Sequence, residues 1–152
     1  MGAESVLIDV EPSALRVHFG GVNQNVPIGA FQPLVFTTVD FDRLGEYNLA
    51  VGTFTPARAG WYQITLKLTT LNFTPPNTLN IRVFMTAPPF GNQTDSNLNL
   101  VAGQTAMTIE NNGLLYLTPA QTIQAQVFIG NSGMPSVDGS AWLTYLAIHR
   151  VR

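Results

Sequence analysis

The stretch that decides the fold runs Gly52-Thr-Phe-Thr-Pro-Ala-Arg-Ala-Gly-Trp-Tyr-Gln-Ile-Thr-Leu-Lys-Leu-Thr-Thr-Leu71. Its second half alternates: one parity holds Tyr62, Ile64, Leu66 and Leu68, and the other holds Gln63, Thr65, Lys67 and Thr69. Successive side chains of a β-strand point to opposite faces, so this pattern predicts a long strand with one face in a core. Pro56 and Gly60 mark the approach to it, and Gly52-Thr-Phe-Thr predicts a shorter strand before them.

The rest of the chain repeats this pattern in shorter pieces. Further strands are predicted at 79–85, 98–101, 105–110, 114–118, 122–129 and 141–150. Asn111-Asn112-Gly113 indicates a tight hairpin, and residues 87–97 are expected to form the longest loop. No window has a sustained apolar period of 3.6, so helix should be scarce. About ten short strands separated by turn signals predict an all-β sandwich or barrel.

Two regions divide the chain on this interpretation. Residues 1–29 hold two short apolar alternations broken by Gly20-Gly21 and Pro27, which predict an N-terminal arm or edge strands. Residues 30–152 would form the main domain. Pro33 interrupts its first strand, which argues for an edge or a bend there.

Composition excludes several kinds of protein. The 152 residues are 45% hydrophobic but only 11% charged, against about 25% in typical soluble domains. Such a surface must be covered by amides and hydroxyls or hidden between subunits. The net charge of −2 and a single lysine, Lys67, argue against nucleic-acid binding. Cysteine is absent, no apolar run is long enough for a membrane-spanning helix, and the first residues lack the basic region of a signal peptide.

Several blocks of sequence occur in an order that is known from one family. They are Ala30-Phe31 before Leu34-Val35-Phe36, Asp40-Phe41-Asp42 with Tyr47, Gly52-Thr-Phe-Thr-Pro with Ala59-Gly60-Trp-Tyr-Gln-Ile, Gly113-Leu-Leu-Tyr-Leu, Ile123-Gln-Ala-Gln-Val, and Ser140-Ala-Trp-Leu-Thr-Tyr-Leu-Ala-Ile. Over residues 30–150 the chain resembles the globular heads of complement component one-q, within the tumour-necrosis-factor-like jelly rolls. It departs from them in having Ala120-Gln121 where a Gly-Asp pair is usual, and in lacking a Gly-X-Y stalk.

This resemblance implies a two-sheet antiparallel jelly roll of about ten strands, a homotrimer, and recognition rather than catalysis. The last strand is apolar on both parities, whereas a surface strand of a monomer should have one wet face. Combined with the inner-sheet packing that the resemblance implies, this predicts a trimer interface. The residues expected there are Gln63, Thr65, Leu115, Trp142 and Leu146. The alternative for Trp142 is a place under a loop or under the N-terminal arm.

Catalytic chemistry finds little support. His18 and His149 are the only histidines, and no Gly-X-Ser-X-Gly elbow is present. We therefore expect no enzyme activity and no cofactor. Asp40 and Asp42 are the one pair of carboxylates with a spacing suited to calcium, and the alternative is a turn in which they accept backbone N–H bonds.

The predicted loop at 88–97 is the candidate ligand site. Its amides match sugar hydroxyls and an aromatic ring could stack on a sugar, so the expected contacts are Phe90, Asn92, Gln93 and Asp95. A plain solvated loop is the alternative. The prediction is thus a non-catalytic homotrimeric binding module at a cell, spore or virion surface, with a glycan or surface receptor as partner. A structural trimerisation knob that caps a fibre, and an enzyme on a sandwich scaffold, are the alternatives.

Overall fold

The computed structural model describes residues 12–74, 77–87, 89–100, 103–130 and 133–151. All regular structure in these residues is strand, and none of them forms a helix that could cross a membrane. The nine longer strands are β1 (Ala14–His18), β4 (Thr38–Asp42), β7 (Gly60–Phe73), β8 (Asn77–Met85), β9 (Gly91–Leu100), β10 (Ala106–Leu117), β11 (Ile123–Ile129), β12 (Gly133–Val137) and β13 (Tyr145–Arg150). Four two-residue strands complete the set: β2 (Gln24–Asn25), β3 (Gln32–Pro33), β5 (Tyr47–Asn48) and β6 (Thr53–Phe54).

The long strand predicted from the deciding stretch is the hub of the first sheet. β10 pairs with β7 along one side, from Gly60 to Leu71. On the other side β13 pairs with its first half, and β12 pairs with its second half. The sheet continues from β13 through β1 to β4, and from β12 to β2. The strand pairings among the described residues are all antiparallel, so the prediction of an antiparallel two-sheet sandwich is confirmed.

The second sheet has the order β5-β6-β11-β8-β9, with the short β3 also paired to β11. Pro33 lies in β3, at an edge where its missing N–H costs nothing, as the sequence predicts. The two sheets enclose a core of residues that are almost fully buried. Its largest members are Tyr62, Phe36, Phe54, Leu15, Ile64, Leu66, Leu68, Leu79, Ile81, Leu117 and Ile129. The predicted inward parity of the long strand is therefore confirmed.

Four details differ from the sequence-based expectation. β1 lies between β13 and β4, so Ala14–His18 form an interior strand of the sheet rather than an arm or an edge. β10 runs unbroken through Asn111-Asn112-Gly113, where a hairpin was expected, because each of its residues pairs with β7. The expected loop at 87–97 is largely β9, and β12 lies between the strands predicted at 122–129 and 141–150, where none was predicted.

Two glycines lie where a Cβ would come too close to a neighbouring segment. A Cβ on Gly113 would lie 2.5 Å from Thr94 Cγ2, at the place where β10 of one sheet approaches β9 of the other. A Cβ on Gly139 would lie 2.1 Å from the carbonyl oxygen of Val22. Real Cβ contacts are longer than this. At Gly139 the near atoms are backbone, so only glycine fits there, whereas a Cβ on Gly113 would displace the Thr94 side chain.

Candidate functional site

The first candidate surface is the outer face of the first sheet. Because Tyr62 and Ile64 point into the core, Gln63 and Thr65 of β7 point outwards. Gln63 lies in register between Leu114 of β10 and His149 of β13, and Thr65 lies between Asn112 and Ala147. The side chains on either side of Thr65 are therefore short and uncharged.

One corner of this face exposes large apolar side chains. We call Trp61, Leu114, Tyr116 and Val151 the apolar corner; their exposed fractions are 44%, 53%, 53% and 46%. The Trp61 and Tyr116 rings meet edge to face with centroids 5.6 Å apart, and the Val151 N–H donates to the Trp61 carbonyl oxygen at 2.8 Å. Together with Gln63, three of these residues line an open depression of about 460 Å³. Contiguous exposed apolar groups of this kind mark contact sites on protein surfaces.

The five residues predicted for an interface are divided by the structure. Gln63 and Thr65 lie on the outer face. Leu146 is 3% exposed and is in register with Leu66, so its side chain belongs to the core instead. Leu115 is in register with Tyr62 and also packs against the core from the inner side. The alternation of side chains could not show which face of these strands points outwards, because Leu114-Leu115-Tyr116-Leu117 and the last strand are apolar on both faces.

Trp142 is 80% exposed on the loop between β12 and β13. The loop is held from several directions: Gly21 N–H donates to Gly139 O at 2.8 Å, and Gly139 N–H donates to the Asn23 side chain at 2.9 Å. Arg16, on the outer face of β1, donates from Nη2 to Ala141 O at 2.6 Å. The indole is thus presented by an anchored loop that is tied to the outer face of the first sheet.

The two carboxylates considered for calcium have separate protein partners. Asp40 accepts from His18 Nε2 at 2.9 Å and pairs with Arg16 Nη1. Asp42 accepts from the backbone N–H groups of Glu46 and Tyr47, both at 2.9 Å, which is the turn arrangement named as the alternative. Among the described residues no group of three or more histidines, cysteines or carboxylates is placed to hold a metal ion.

The electrostatics around Asp40 follow from these partners. The hydrogen bond from His18 lowers the pKa of the Asp40 carboxyl, burial opposes this, and Arg16 lowers the pKa further. His18 accepts from Gly20 N–H at Nδ1 at 2.9 Å, so both ring nitrogens have partners. His18 therefore has no ring nitrogen available to take a proton from a nucleophile.

The second candidate surface is the outer face of the second sheet. The Arg82 guanidinium carbon lies 3.5 Å from the Phe31 ring centroid and 4.5 Å from that of Phe84. The Phe31 and Phe128 centroids are 5.4 Å apart. We call this row, Phe128, Phe31, Arg82 and Phe84, the stacked strip. Burial lowers the pKa of Arg82, and the facing carboxylate of Asp95 opposes that effect.

The residues predicted for ligand contact lie on or near β9. Asp95 is exposed and in register with Arg82, so it borders the stacked strip. Phe90 is 67% exposed just before β9, and Gln93 donates from its amide to Gly91 O at 3.3 Å. The side chain of Asn92 lies outside what the structure describes. Sequence reasoning missed Arg82 and the three rings, because residues from three separate segments form the strip.

Comparisons with known proteins give fold relatives. No family model and no curated protein sequence matches the chain. Among solved structures, it is similar to the globular domain of zebrafish complement 1qA protein, with a TM-score of 0.64, 14% identity, and 93% of this chain and 98% of the other covered. It is also similar to Eiger TNF from S. frugiperda, with a TM-score of 0.72 and 10% identity, and 93% of each chain is covered. For murine APRIL at pH 5.0 the TM-score is 0.69 and the identity 11%, with 93% of this chain and 100% of the other covered.

Proposed function

We propose that this chain, which has the jelly-roll fold shared by complement one-q heads and tumour-necrosis-factor-like proteins, is a non-catalytic homotrimeric recognition module. The apolar corner is the observation that carries the proposal. In a chain with so few charges, four large apolar side chains stay together in solvent, and the nearby outward positions Gln63 and Asn112 carry no charge. A second and third copy of the chain would remove them from water.

The rest of the outer face suits the same role. Thr65 and Ala147 are small and lie side by side, so the backbone of another copy can approach closely. Burial of a fully exposed large apolar side chain is worth about 1.5–3 kcal/mol. The four side chains of the apolar corner are about half exposed, so each has about half of that to gain in a contact between copies. Trp142 adds an indole at the other end of the face, beside Arg16.

Subunit number under matched substitutions tests the assembly. Leu114→Asp puts a charge in the apolar corner, whereas Leu49→Asp makes the same change at a 45% exposed leucine in the turn before β6, on the second sheet. Sedimentation equilibrium should give three chains of 16.5 kDa for the parent protein and for Leu49→Asp, and single chains for Leu114→Asp. A parent protein that sediments as one chain at every concentration would refute the proposal.

The recognition role extends the proposal to a ligand, for which a glycan on a cell, spore or virion surface is the leading class. An extracellular setting agrees with the fold relatives. The alternative is a structural knob that only holds three chains together. Deleting residues 88–97 would not separate the two, because that segment contains most of β9 and its removal would open the second sheet. Point substitutions on the outer face of that sheet are the cleaner test.

A further inference from the structure

We propose that the stacked strip on the outer face of the second sheet binds a linear, neutral carbohydrate chain. The inference rests on the proposed recognition function and gives it a location and a ligand chemistry. It moves the centre of the site from residues 88–97 to the row formed by Phe128, Phe31, Arg82 and Phe84.

The strip is a row of planar groups that crosses two strands. Phe128 belongs to β11, Arg82 and Phe84 belong to β8, and Phe31 reaches over both strands from the segment before β3. All four residues are half-buried. Their packing against one another holds each plane in place, so little side-chain entropy is left to lose when a ligand is bound.

One flank of the strip is a relay of oriented polar groups. Arg82 Nε donates to Gln126 Oε1 at 2.7 Å, and Gln126 Nε2 donates to Gln124 Oε1 at 2.9 Å. Gln124 Nε2 in turn donates to the carbonyl oxygen of Val51 at 2.9 Å. Because each amide has its donor and acceptor ends assigned by its neighbour, the polar edge is organised before any ligand arrives.

The other flank is exposed. Asp95 and Asn97 of β9 lie in register with Arg82 and Asn80 of β8, so their side chains border the strip on the side away from Gln126. The carboxylate offers acceptors only, and the amide offers both a donor and an acceptor. The strip thus has an apolar floor between two polar edges.

This arrangement matches the chemistry of a sugar chain. A pyranose ring has C–H groups on its faces and hydroxyls around its rim, and each hydroxyl both donates and accepts a hydrogen bond. The C–H faces suit the apolar surface that the Phe128, Phe31 and Phe84 rings leave partly exposed, and successive sugars of a linear chain would extend along it. The hydroxyls fit the amides on one edge and the carboxylate and amide on the other, in the manner of sites where few polar groups orient a ligand on an apolar floor.

Charge favours a neutral ligand over an acidic one. The guanidinium of Arg82 is faced by Asp95 and covered by two rings, so little positive charge is left for an anion. The burial that lowers the pKa of Arg82 reflects the same covering. A uronic or sialic acid would bring its carboxylate close to Asp95 and be repelled.

The proposed assembly leaves this face free. If copies meet through the outer face of the first sheet, the outer face of the second sheet points away from the contact in each copy. A trimer would then carry three strips, and a repetitive polysaccharide could engage more than one of them. Binding to a polymer would exceed binding to a short oligosaccharide through effective concentration alone.

Saturation-transfer NMR with defined saccharides tests the inference. The probes are linear hexasaccharides of glucose, mannose and N-acetylglucosamine, with a hexauronic acid as the acidic comparison. At least one neutral probe should receive saturation from the trimer and the acidic probe should not. No transfer to any neutral probe, or preferential transfer to the acidic one, would overturn the inference.

Substitutions locate the binding. Asp95→Ala removes an exposed carboxylate, and Phe84→Leu keeps most of the apolar volume while removing one aromatic ring. Each substitution should raise the dissociation constant for the neutral hexasaccharide by about tenfold. Phe41→Leu makes the same aromatic change at a 44% exposed position of β4, in the first sheet, and should leave binding unchanged. If Asp95→Ala, whose side chain is no part of the core, binds as the parent does, the strip is not the site.

The monomeric Leu114→Asp variant separates this inference from the assembly. It should bind a hexasaccharide with the parent affinity and lose only the gain seen with a polymer. A parent protein that is a single chain yet binds neutral hexasaccharides through Asp95 would refute the trimer and support the site. A parent protein that is a trimer but binds none of the neutral hexasaccharides would support the assembly and refute the site.

Discussion

Arg16 Nη2 donates a hydrogen bond of 2.6 Å to the carbonyl oxygen of Ala141, across 125 positions of the chain. The same guanidinium pairs with Asp40 and lies 4.6 Å from the centre of the Tyr145 ring. One side chain therefore links β1, β4 and β13 to the loop that presents Trp142. This explains how an indole that is 80% exposed can be held in a defined place.

Removing this link should loosen the loop. In Arg16→Gln the glutamine side chain is too short to reach both Asp40 and Ala141. Hydrogen bonds that involve a charged group contribute about 1.5–3 kcal/mol to stability. We expect a loss of that order in unfolding free energy and faster amide hydrogen exchange over 139–144. Arg43→Gln, at the far end of β4, is the control and should change neither. Unchanged exchange in Arg16→Gln would show that the loop is held by its backbone contacts alone.

Asp40 should make stability depend on acid pH. Its partners lower its pKa below the ordinary 3.8, so the folded state holds the carboxylate in its charged form more strongly than the unfolded state does. The resulting stabilisation is present above the unfolded value and is lost as the pH falls through the folded one. Urea midpoints of the parent and of Asp40→Asn should therefore differ at pH 7 and converge below about pH 4. A constant difference down to pH 2.5 would contradict this.

Gly113 should tolerate alanine only when Thr94 is shortened. The added Cβ would lie 2.5 Å from Thr94 Cγ2, and overpacking of this kind costs about 1–3 kcal/mol. Thr94→Ser removes that methyl group and keeps the hydroxyl. We expect Gly113→Ala to lower the melting temperature and Gly113→Ala with Thr94→Ser to recover most of the loss. If the double variant melts at the sum of the two single losses, the two residues do not meet as described.

The strands that the sequence predicted well are those with one clearly apolar parity. In β7, Tyr62 to Leu68 alternate with polar residues, and the structure buries the apolar set. Residues 91–97 of β9 were expected to be loop, since Asn, Gln, Asp and Ser have low strand propensity. Its pairing with β8 at nine positions outweighs that preference, and its polar side chains suit an edge strand.

The alternation of side chains along a strand could not by itself show which residues form the outer faces of the sheets. In the last strand both Leu146 and Tyr145 belong to apolar sets, and only pairing with β7 shows which set faces inwards. Gly113 was interpreted as a turn residue, whereas its lack of a side chain serves the contact with Thr94. The stacked strip joins residues that are about 100 positions apart, from Phe31 to Phe128, and no local pattern announces such a site.

The contrast between Leu146 and Trp142 provides a last test of the corrected assignment. Leu146 is 3% exposed between the sheets, so Leu146→Ala should cost about 2–5 kcal/mol of unfolding free energy. Trp142→Ala changes an exposed side chain and should cost less than about 0.5 kcal/mol in a single chain. Both costs are best measured by urea unfolding in the Leu114→Asp background, where assembly does not contribute to stability. In the parent background Trp142→Ala should instead weaken the trimer in sedimentation, because the lost indole would be part of the contact between copies. A large loss of single-chain stability for Trp142→Ala, with a trimer of parent strength, would place the indole in intramolecular packing and remove it from the interface.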